Sequence, residues 1–120
     1  MKLLHYPALP ALLFALSLAA EAQSSSRYAA LVDVEGLGAI SFPNSGAPEA
    51  QEACFRGVLL LHSFEFSPAA EAFRKAQEYD ADFALAYWGE AMTYNHPLWR
   101  QFDGKSGQTA LQRYPSVTNA

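Results

Sequence analysis

The sequence predicts an all-α protein, a solenoid of antiparallel helix pairs that follows an irregular lead-in. Three observations predict this fold. Apolar residues recur at helical spacing from residue 48 onward, Pro and Asp residues mark helix starts and turns, and similar residues return after 34 positions. Of the 120 residues, 51% are hydrophobic and 17% charged, which is typical of a globular protein.

The first 22 residues have the organisation of a cleavable signal peptide. Lys2 supplies a positive charge, an apolar stretch follows at residues 9–20, and Ala20 and Ala22 are small residues where a signal peptidase reads them. The apolar stretch is shorter than the roughly 20 residues of a membrane-spanning helix. We therefore expect residues 1–22 to be removed by cleavage after Ala22, and the mature protein to be secreted or periplasmic with no stable membrane insertion. The alternative is an amphipathic N-terminal helix.

Residues 23–46 are predicted to form a polar linker and an extended lead-in. Gly36, Gly38 and Pro43 interrupt its β-branched residues, and residues 44–46 (Asn-Ser-Gly) are typical of a turn. We expect at most one short strand there and no independent domain.

Helical repeats are predicted for residues 47–120. The first helix starts at Pro48, whose missing N–H would have no intrahelical partner there, and its apolar face extends from Ala50 to Phe64. Other apolar side chains lie off that face, so this helix is expected to be covered on more than one side.

The later helix boundaries are predicted from their capping residues. Ser67 is expected to cap a second helix with Pro68 at its first position, and Asp82 to cap a third that ends near residues 95–97. A short helix is expected at residues 108–114, with no capping helix after it.

A 34-residue shift aligns residues of the same kind, which indicates a repeat of two helices per unit. The aligned pairs are Ala50 with Ala84, Gly57 with Ala91, Leu60 with Tyr94, and His62 with His96. Small residues of such a unit let two helices approach closely, and aromatic residues fill the space to the next pair.

In this pattern the chain resembles the tetratricopeptide repeat (TPR) family, and in particular exported bacterial repeat proteins with His-Ser-Phe and Tyr-Trp-Gly-Glu-Ala-Met segments. This resemblance implies that the helices pack through a set of small and large apolar residues, namely Gly57, Leu60, Ala69, Phe73, Ala76, Tyr87, Ala91 and Tyr94. Unit one covers residues 50–83. Unit two covers residues 84–117 and is degenerate, because Gly104 and Gly107 stand where the small-aromatic-small pattern belongs. Repeat arrays usually need about three units. We therefore expect an N-terminal fragment of a longer chain with further repeats, the alternative being an exposed end that docks on another chain.

Composition excludes several function classes. The net charge is −4, and the eight Lys and Arg residues are scattered along the sequence, so we expect no nucleic-acid partner. The single cysteine, Cys54, excludes an internal disulfide, a CxxC motif and a c-type haem attachment site. We expect Cys54 to be buried within its apolar helix, the alternative being a thiol open to intermolecular pairing.

Catalytic motifs are also missing from the sequence. It contains no Gly-x-Ser-x-Gly, P-loop or HExxH motif, and Ser63 beside His62 is not a nucleophile–base pair, because neighbours on a helix point about 100° apart. We expect a protein that is not an enzyme and uses no cofactor.

Two histidines leave a metal site open as a hypothesis. His62 and His96 occupy equivalent repeat positions near helix ends, and Glu90 or Glu65 could complete a transition-metal site. The alternative, which we favour because no two ligands have i, i+4 spacing, is that both imidazoles cap helix ends.

The aromatic residues suggest where recognition takes place. Tyr87, Trp88 and Tyr94 lie at helical spacing beside alanines, which favours packing between repeats over a carbohydrate or peptide groove. Trp99 follows Pro97 outside the periodic stripe and is the candidate for surface recognition. The sequence thus predicts an extracytoplasmic, non-catalytic scaffold that binds a protein or peptide. The alternative is a metal- or small-ligand-binding helical domain that uses His62 and His96, as the front end of a larger enzyme.

Overall fold

A computed structural model describes residues 32–118, which form a mainly helical protein with two small β-hairpins. Strand β1 spans Val32–Val34 and β2 spans Gly38–Ile40; helix α1 spans Pro48–His62, α2 Phe66–Tyr79 and α3 Ala84–Met92. Strand β3 (Asn95–His96), a 3-10 turn (Pro97–Trp99) and β4 (Gln101–Phe102) precede α4 (Gly104–Gln112) and α5 (Pro115–Thr118). The all-α class is confirmed. The predicted signal peptide and the linker that follows it lie outside the described residues.

The lead-in forms a hairpin and not the single short strand we expected. Strand β1 pairs antiparallel with β2, with Val34 opposite Gly38. Gly36 and Gly38 have φ angles of +76° and +94°, a backbone conformation that glycine adopts without strain. Val34 is buried, and further along the lead-in the ring of Phe42 lies 4.8 Å from that of Phe55 on α1, edge to face. The lead-in therefore packs on the helices.

The first two helices run antiparallel. The backbone N–H of Ala47, just before α1, donates a 2.8 Å hydrogen bond to the carboxylate of Asp80, just after α2. Residues 63–65 separate the two helices at their other ends, and a loop of this length is typical of antiparallel helix pairs.

Helices α3 and α4 continue this alternation. Along α2 and α3, Gln77 donates to the carbonyl of Ala86 at 3.2 Å, and Arg74, one turn earlier on α2, donates to Glu90, one turn later on α3. Between α3 and α4, the rings of Tyr87 and Tyr114 lie 5.3 Å apart at one end. At the other end the backbone N–H of Asp103 donates to the carbonyl of Tyr94 at 3.0 Å. Each of the helices α2, α3 and α4 therefore runs antiparallel to the helix before it.

Phe73 is the centre of the core. Its side chain is fully buried on α2 between two glycines, Gly57 on α1 and Gly89 on α3. A Cβ atom at Gly57 would lie 2.9 Å from the Phe73 ring, and one at Gly89 would overlap it. Glycine at both positions lets one large ring fill the space between three helices.

The predicted packing residues lie mostly in this core. Gly57, Leu60, Ala69, Phe73, Ala76 and Tyr87 are buried, whereas Ala91 and Tyr94 are partly exposed. The burial of Cys54 is confirmed, and removal from water raises the pKa of its thiol to about 12. The thiol stays protonated at neutral pH, so it packs as a small apolar group.

Two predicted helix caps are wrong. Helix α2 starts at Phe66, before Ser67, with Glu65 in the N-cap position. Helix α3 follows Phe83 in that position and has no side-chain cap, so Asp82 does not cap it, and the helix ends at Met92, before residues 95–97. Asp80 instead forms the turn, because its carboxylate accepts the backbone N–H of Asp82 at 3.0 Å while also holding the start of α1.

The fourth helix starts earlier than expected and includes both glycines that suggested degeneration. Asp103 caps it by accepting the N–H of Ser106 at 3.0 Å, a better start than the predicted residue 108. At Gly107 a Cβ would lie 3.3 Å from the carbonyl oxygen of Ala91, so glycine lets α4 approach α3 closely. The short α5 then stands where no helix was predicted. None of the helices in residues 32–118 is long and apolar enough to cross a membrane.

Candidate functional site

Two turns bring four aromatic side chains together at one end of the helices. The turn between α1 and α2 supplies Phe64 and Phe66, and the connection between α3 and α4 supplies His96 and Trp99. The ring centroid of Trp99 lies 5.8 Å from that of Phe64 and 5.9 Å from that of Phe66, which are themselves 6.3 Å apart. All three pairs meet edge to face, the favourable arrangement for aromatic rings. We call Phe64, Phe66, His96 and Trp99 the aromatic surface.

His96 positions this surface against the helices. Its ring stacks on Phe66 with centroids 3.8 Å apart, and its Nε2–H donates to the carbonyl of Thr93 at 2.8 Å. Its Nδ1 lies 3.4 Å from the side-chain amide of Gln101 on β4. The imidazole therefore ties the end of α3, the second hairpin and the start of α2 to one another.

The aromatic surface is open to solvent. Phe64 is 50% exposed and Trp99 54% exposed, and Leu98 beside Trp99 is 67% exposed. Exposing large apolar side chains to water is unfavourable in free energy, and patches of such side chains on soluble proteins commonly bind a partner.

The backbone beneath the surface is strained. Phe64 has φ = 62° and Arg100, directly after Trp99, has φ = 55°; within residues 32–118 these are the non-glycine residues with positive φ. Phe64 occupies the C′ position of a Schellman motif, in which the N–H of Glu65 reaches the carbonyl of Leu60 at 2.9 Å. Glycine is the usual residue there, and a larger one costs about 1–2 kcal/mol. A strained bulky residue with an exposed ring is typical of a functional surface.

A second cluster centres on the buried carboxylate of Glu90 in α3, which is 1% exposed. Arg74 Nε donates to its Oε1 at 2.8 Å, and Gln77 Nε2 donates to its Oε2 at 2.8 Å. Arg113, at the end of α4, donates from Nη2 to the same Oε2. We call these four residues the Glu90 network, and it joins α2, α3 and α4.

The Glu90 network satisfies its own polar groups. Arg74 also donates to the hydroxyl of Tyr94 at 3.0 Å, and its hydrogen bond with Glu90 raises the pKa of the guanidinium. Within residues 32–118 no buried side-chain nitrogen or oxygen lacks a hydrogen-bond partner. An open, polar cavity of about 350 Å³ lies beside the network, lined in part by Lys105, Thr109 and Arg113. The network's geometry is that of a structural cross-link.

The structure does not assemble the hypothesised metal site. Within the described part of the chain, no group of three or more His, Cys, Asp or Glu side chains is placed to hold a metal ion. Glu90 already accepts hydrogen bonds on both oxygens. The ring of His62 donates from Nδ1 to the carbonyl of Val58 at 2.8 Å, and His96 donates to Thr93, so both rings bond to carbonyls at helix ends. This is the arrangement of the helix-capping alternative.

The other aromatic candidates separate clearly. Tyr87 is buried in the helix core, and Tyr94 is partly buried where Arg74 reaches its hydroxyl. Trp88 and Trp99 are both about half exposed, at 50% and 54%. Of these two, Trp99 stands among other rings, those of Phe64 and Phe66.

The sequence interpretation missed Phe64 and Phe66 as partners of Trp99. The Phe-Glu-Phe segment after His62 was a usable signal, because two aromatic residues stand where a helix was predicted to stop. It also missed the partners of Glu90. An acidic residue inside the apolar stripe of α3 could have raised the question of a buried ion pair, but its partners come from distant positions.

Comparison of the chain with models of known protein families, with curated proteins and with solved structures gave no match. The resemblance to TPR proteins therefore rests on the residue pattern alone.

Proposed function

We propose that the protein is a non-catalytic binding module with a TPR-like solenoid architecture, which binds a protein or peptide ligand outside the cytoplasm. The observation that carries the proposal is the aromatic surface, in which half-exposed Phe64 and Trp99 rings meet on turns with a strained backbone. The predicted signal peptide supports the extracytoplasmic location.

The helix packing supports the TPR-like part of the proposal. Small residues at Gly57 and Gly89 face one aromatic residue, Phe73, on the helix between them. This is the small-to-aromatic packing by which helix-pair repeats stack. Further repeats, where present in a longer chain, would extend the same series of antiparallel helices.

The chemistry of the surface supports a macromolecular ligand. Tryptophan is enriched among the residues that dominate binding energy, and burying a large apolar side chain contributes about 1.5–3 kcal/mol. Phe64 and Trp99 come from separate turns but contact each other, so one ligand segment would cover both. The edge-to-face contacts fix the rings before binding, so little side-chain entropy remains to be lost.

The proposal is tested by selecting displayed random peptides on the full chain and measuring their affinity for two variants. Trp99→Ala should weaken the selected peptides by at least about tenfold, that is, by about 1.4 kcal/mol. Trp88→Ala is the matched control, since it removes an equally exposed indole that lies outside the aromatic surface. Equal losses in the two variants, or no peptide whose binding depends on Trp99, would contradict the proposal.

A further inference from the structure

We infer that the ligand segment is proline-rich, binds in the polyproline II conformation and carries an acidic residue beside its prolines. This inference rests on the proposed function and specifies the chemistry of its partner. Three features of the aromatic surface point to it: the rings, a free indole donor and the charges at its edge.

The rings suit a short extended segment. Proline-rich peptides dock on surfaces lined by aromatic side chains, where the pyrrolidine rings pack on the aromatic rings. The three rings of Phe64, Phe66 and Trp99 lie within 6.3 Å of one another. They therefore offer a compact contact of about the length of one three-residue polyproline II turn, roughly 9 Å.

The position of the surface argues against an amphipathic helix as ligand. Such a helix binds along a groove, through side chains spaced over two turns or more. The aromatic surface is instead made by two turns at the ends of the helices, at residues 63–66 and 96–99. A short rigid segment fits there, and polyproline II needs no ordering of its own backbone.

The indole N–H of Trp99 adds a polar anchor. It makes no hydrogen bond with any other residue of the described range 32–118, although the side chain is fixed by Phe64 and Phe66. Polyproline II has no internal hydrogen bonds, so its carbonyl oxygens are free to accept this donor.

The charges at the edge of the surface favour an acidic flank. Arg100 follows Trp99 directly, is exposed and has no ion pair within residues 32–118. Glu65 is also exposed but lies in the N-cap position of α2, where the positive end of the helix dipole offsets part of its charge. His62, in the last turn of α1, adds no negative charge. An acidic residue next to the prolines would therefore pair with Arg100.

The test uses the fluorescence of a single tryptophan. In the full-length Trp88→Phe variant Trp99 is the sole indole, since the chain contains two tryptophans. A short oligoproline peptide flanked by aspartates is titrated against this variant, beside one with alanines in place of the prolines and one flanked by lysines. We expect a saturable blue shift with the aspartate-flanked oligoproline and an affinity at least about tenfold lower for each of the other two peptides. Arg100→Glu should reverse the preference between aspartate and lysine flanks.

The outcomes separate this inference from the proposed function. Failure of the oligoproline to bind, while displayed peptides without proline bind in a Trp99-dependent way, would overturn the inference and leave the proposed function standing. Equal binding of the proline and alanine peptides, or an unchanged flank preference in Arg100→Glu, would also overturn it. Absence of any Trp99-dependent peptide would overturn both.

Discussion

The Glu90 network and the aromatic surface both connect α2 to the α3–α4 part of the molecule, but they differ in how completely their interactions are satisfied. Glu90 is 1% exposed and accepts hydrogen bonds from three side chains, and its surroundings contain no strained backbone. The rings of Phe64 and Trp99 are half exposed, and both Phe64 itself and Arg100, directly after Trp99, have positive φ angles. A satisfied cluster stabilises the fold and gains little from a ligand, whereas an unsatisfied cluster has contacts left to make.

This difference predicts opposite responses to mutation. Changes in the Glu90 network should reduce the free energy of unfolding. Changes at the exposed rings of the aromatic surface, Phe64 and Trp99, should reduce that free energy much less and should weaken binding.

The largest expected effect is that of Glu90→Ala. It leaves the guanidinium groups of Arg74 and Arg113 close together without their shared carboxylate. Breaking a fully buried pair costs about 3–5 kcal/mol; because both arginines keep about half of their side-chain exposure, we expect a loss of about 2–3 kcal/mol. Urea denaturation followed by circular dichroism measures it.

Glu78→Ala is the matched control for that experiment. Glu78 pairs with Lys75 on the surface of α2, where both side chains are exposed and the pair contributes little. If Glu78→Ala destabilised the protein as much as Glu90→Ala, the buried network would have no special structural role.

A smaller effect is expected where the backbone is strained. Phe64→Gly and Phe64→Ala both remove the ring, but only glycine relieves the positive φ at this position. We expect the glycine variant to be more stable than the alanine variant by about 1 kcal/mol. Thermal and urea denaturation of the two variants give this difference directly, and a more stable alanine variant would show that the strain is absent.

The smallest effect concerns the start of α4, which carries Arg113 to Glu90. Hydrogen bonds from Ser106 hold the pKa of the Asp103 carboxyl below its ordinary value. A lowered pKa means that the stabilisation is present above the unfolded-state pKa, about 3.9, and is lost as pH falls through the folded-state pKa. Asp103→Asn keeps a capping side chain without a charge. The difference in stability between wild type and this variant should therefore disappear on acidification; a difference that stays constant down to strongly acidic pH would contradict the assignment.

The helices that carry the sites could be predicted because their signals are local. Pro48 marked the start of α1 correctly, and Gly57 and Phe73 hold the small and aromatic packing positions that the resemblance to TPR proteins implied. The burial of Cys54 followed from the same periodicity. Trp99 was recognisable because it broke the helical pattern.

The features that were mispredicted or missed depend on contacts between distant residues. Asp80 caps the start of α1 from 33 positions away, so no local pattern identifies its role. Gly107 indicated a degenerate second unit, whereas in the structure its missing side chain lets α4 approach the carbonyl oxygen of Ala91. The partners of Glu90 come 16 residues before it and 23 after it, and sequence spacing alone does not pair them.

The central claim is that Phe64 occupies its strained position because the aromatic surface binds a ligand. The most direct test measures stability and peptide affinity together for Phe64→Gly, with a displayed peptide selected on the wild-type chain. Loss of the ring contacts and relief of strain should offset each other. The free energy of unfolding should therefore stay within about 1 kcal/mol of the wild-type value, while the affinity for the peptide falls by at least about tenfold. A glycine variant that binds the peptide as tightly as wild type would contradict the claim.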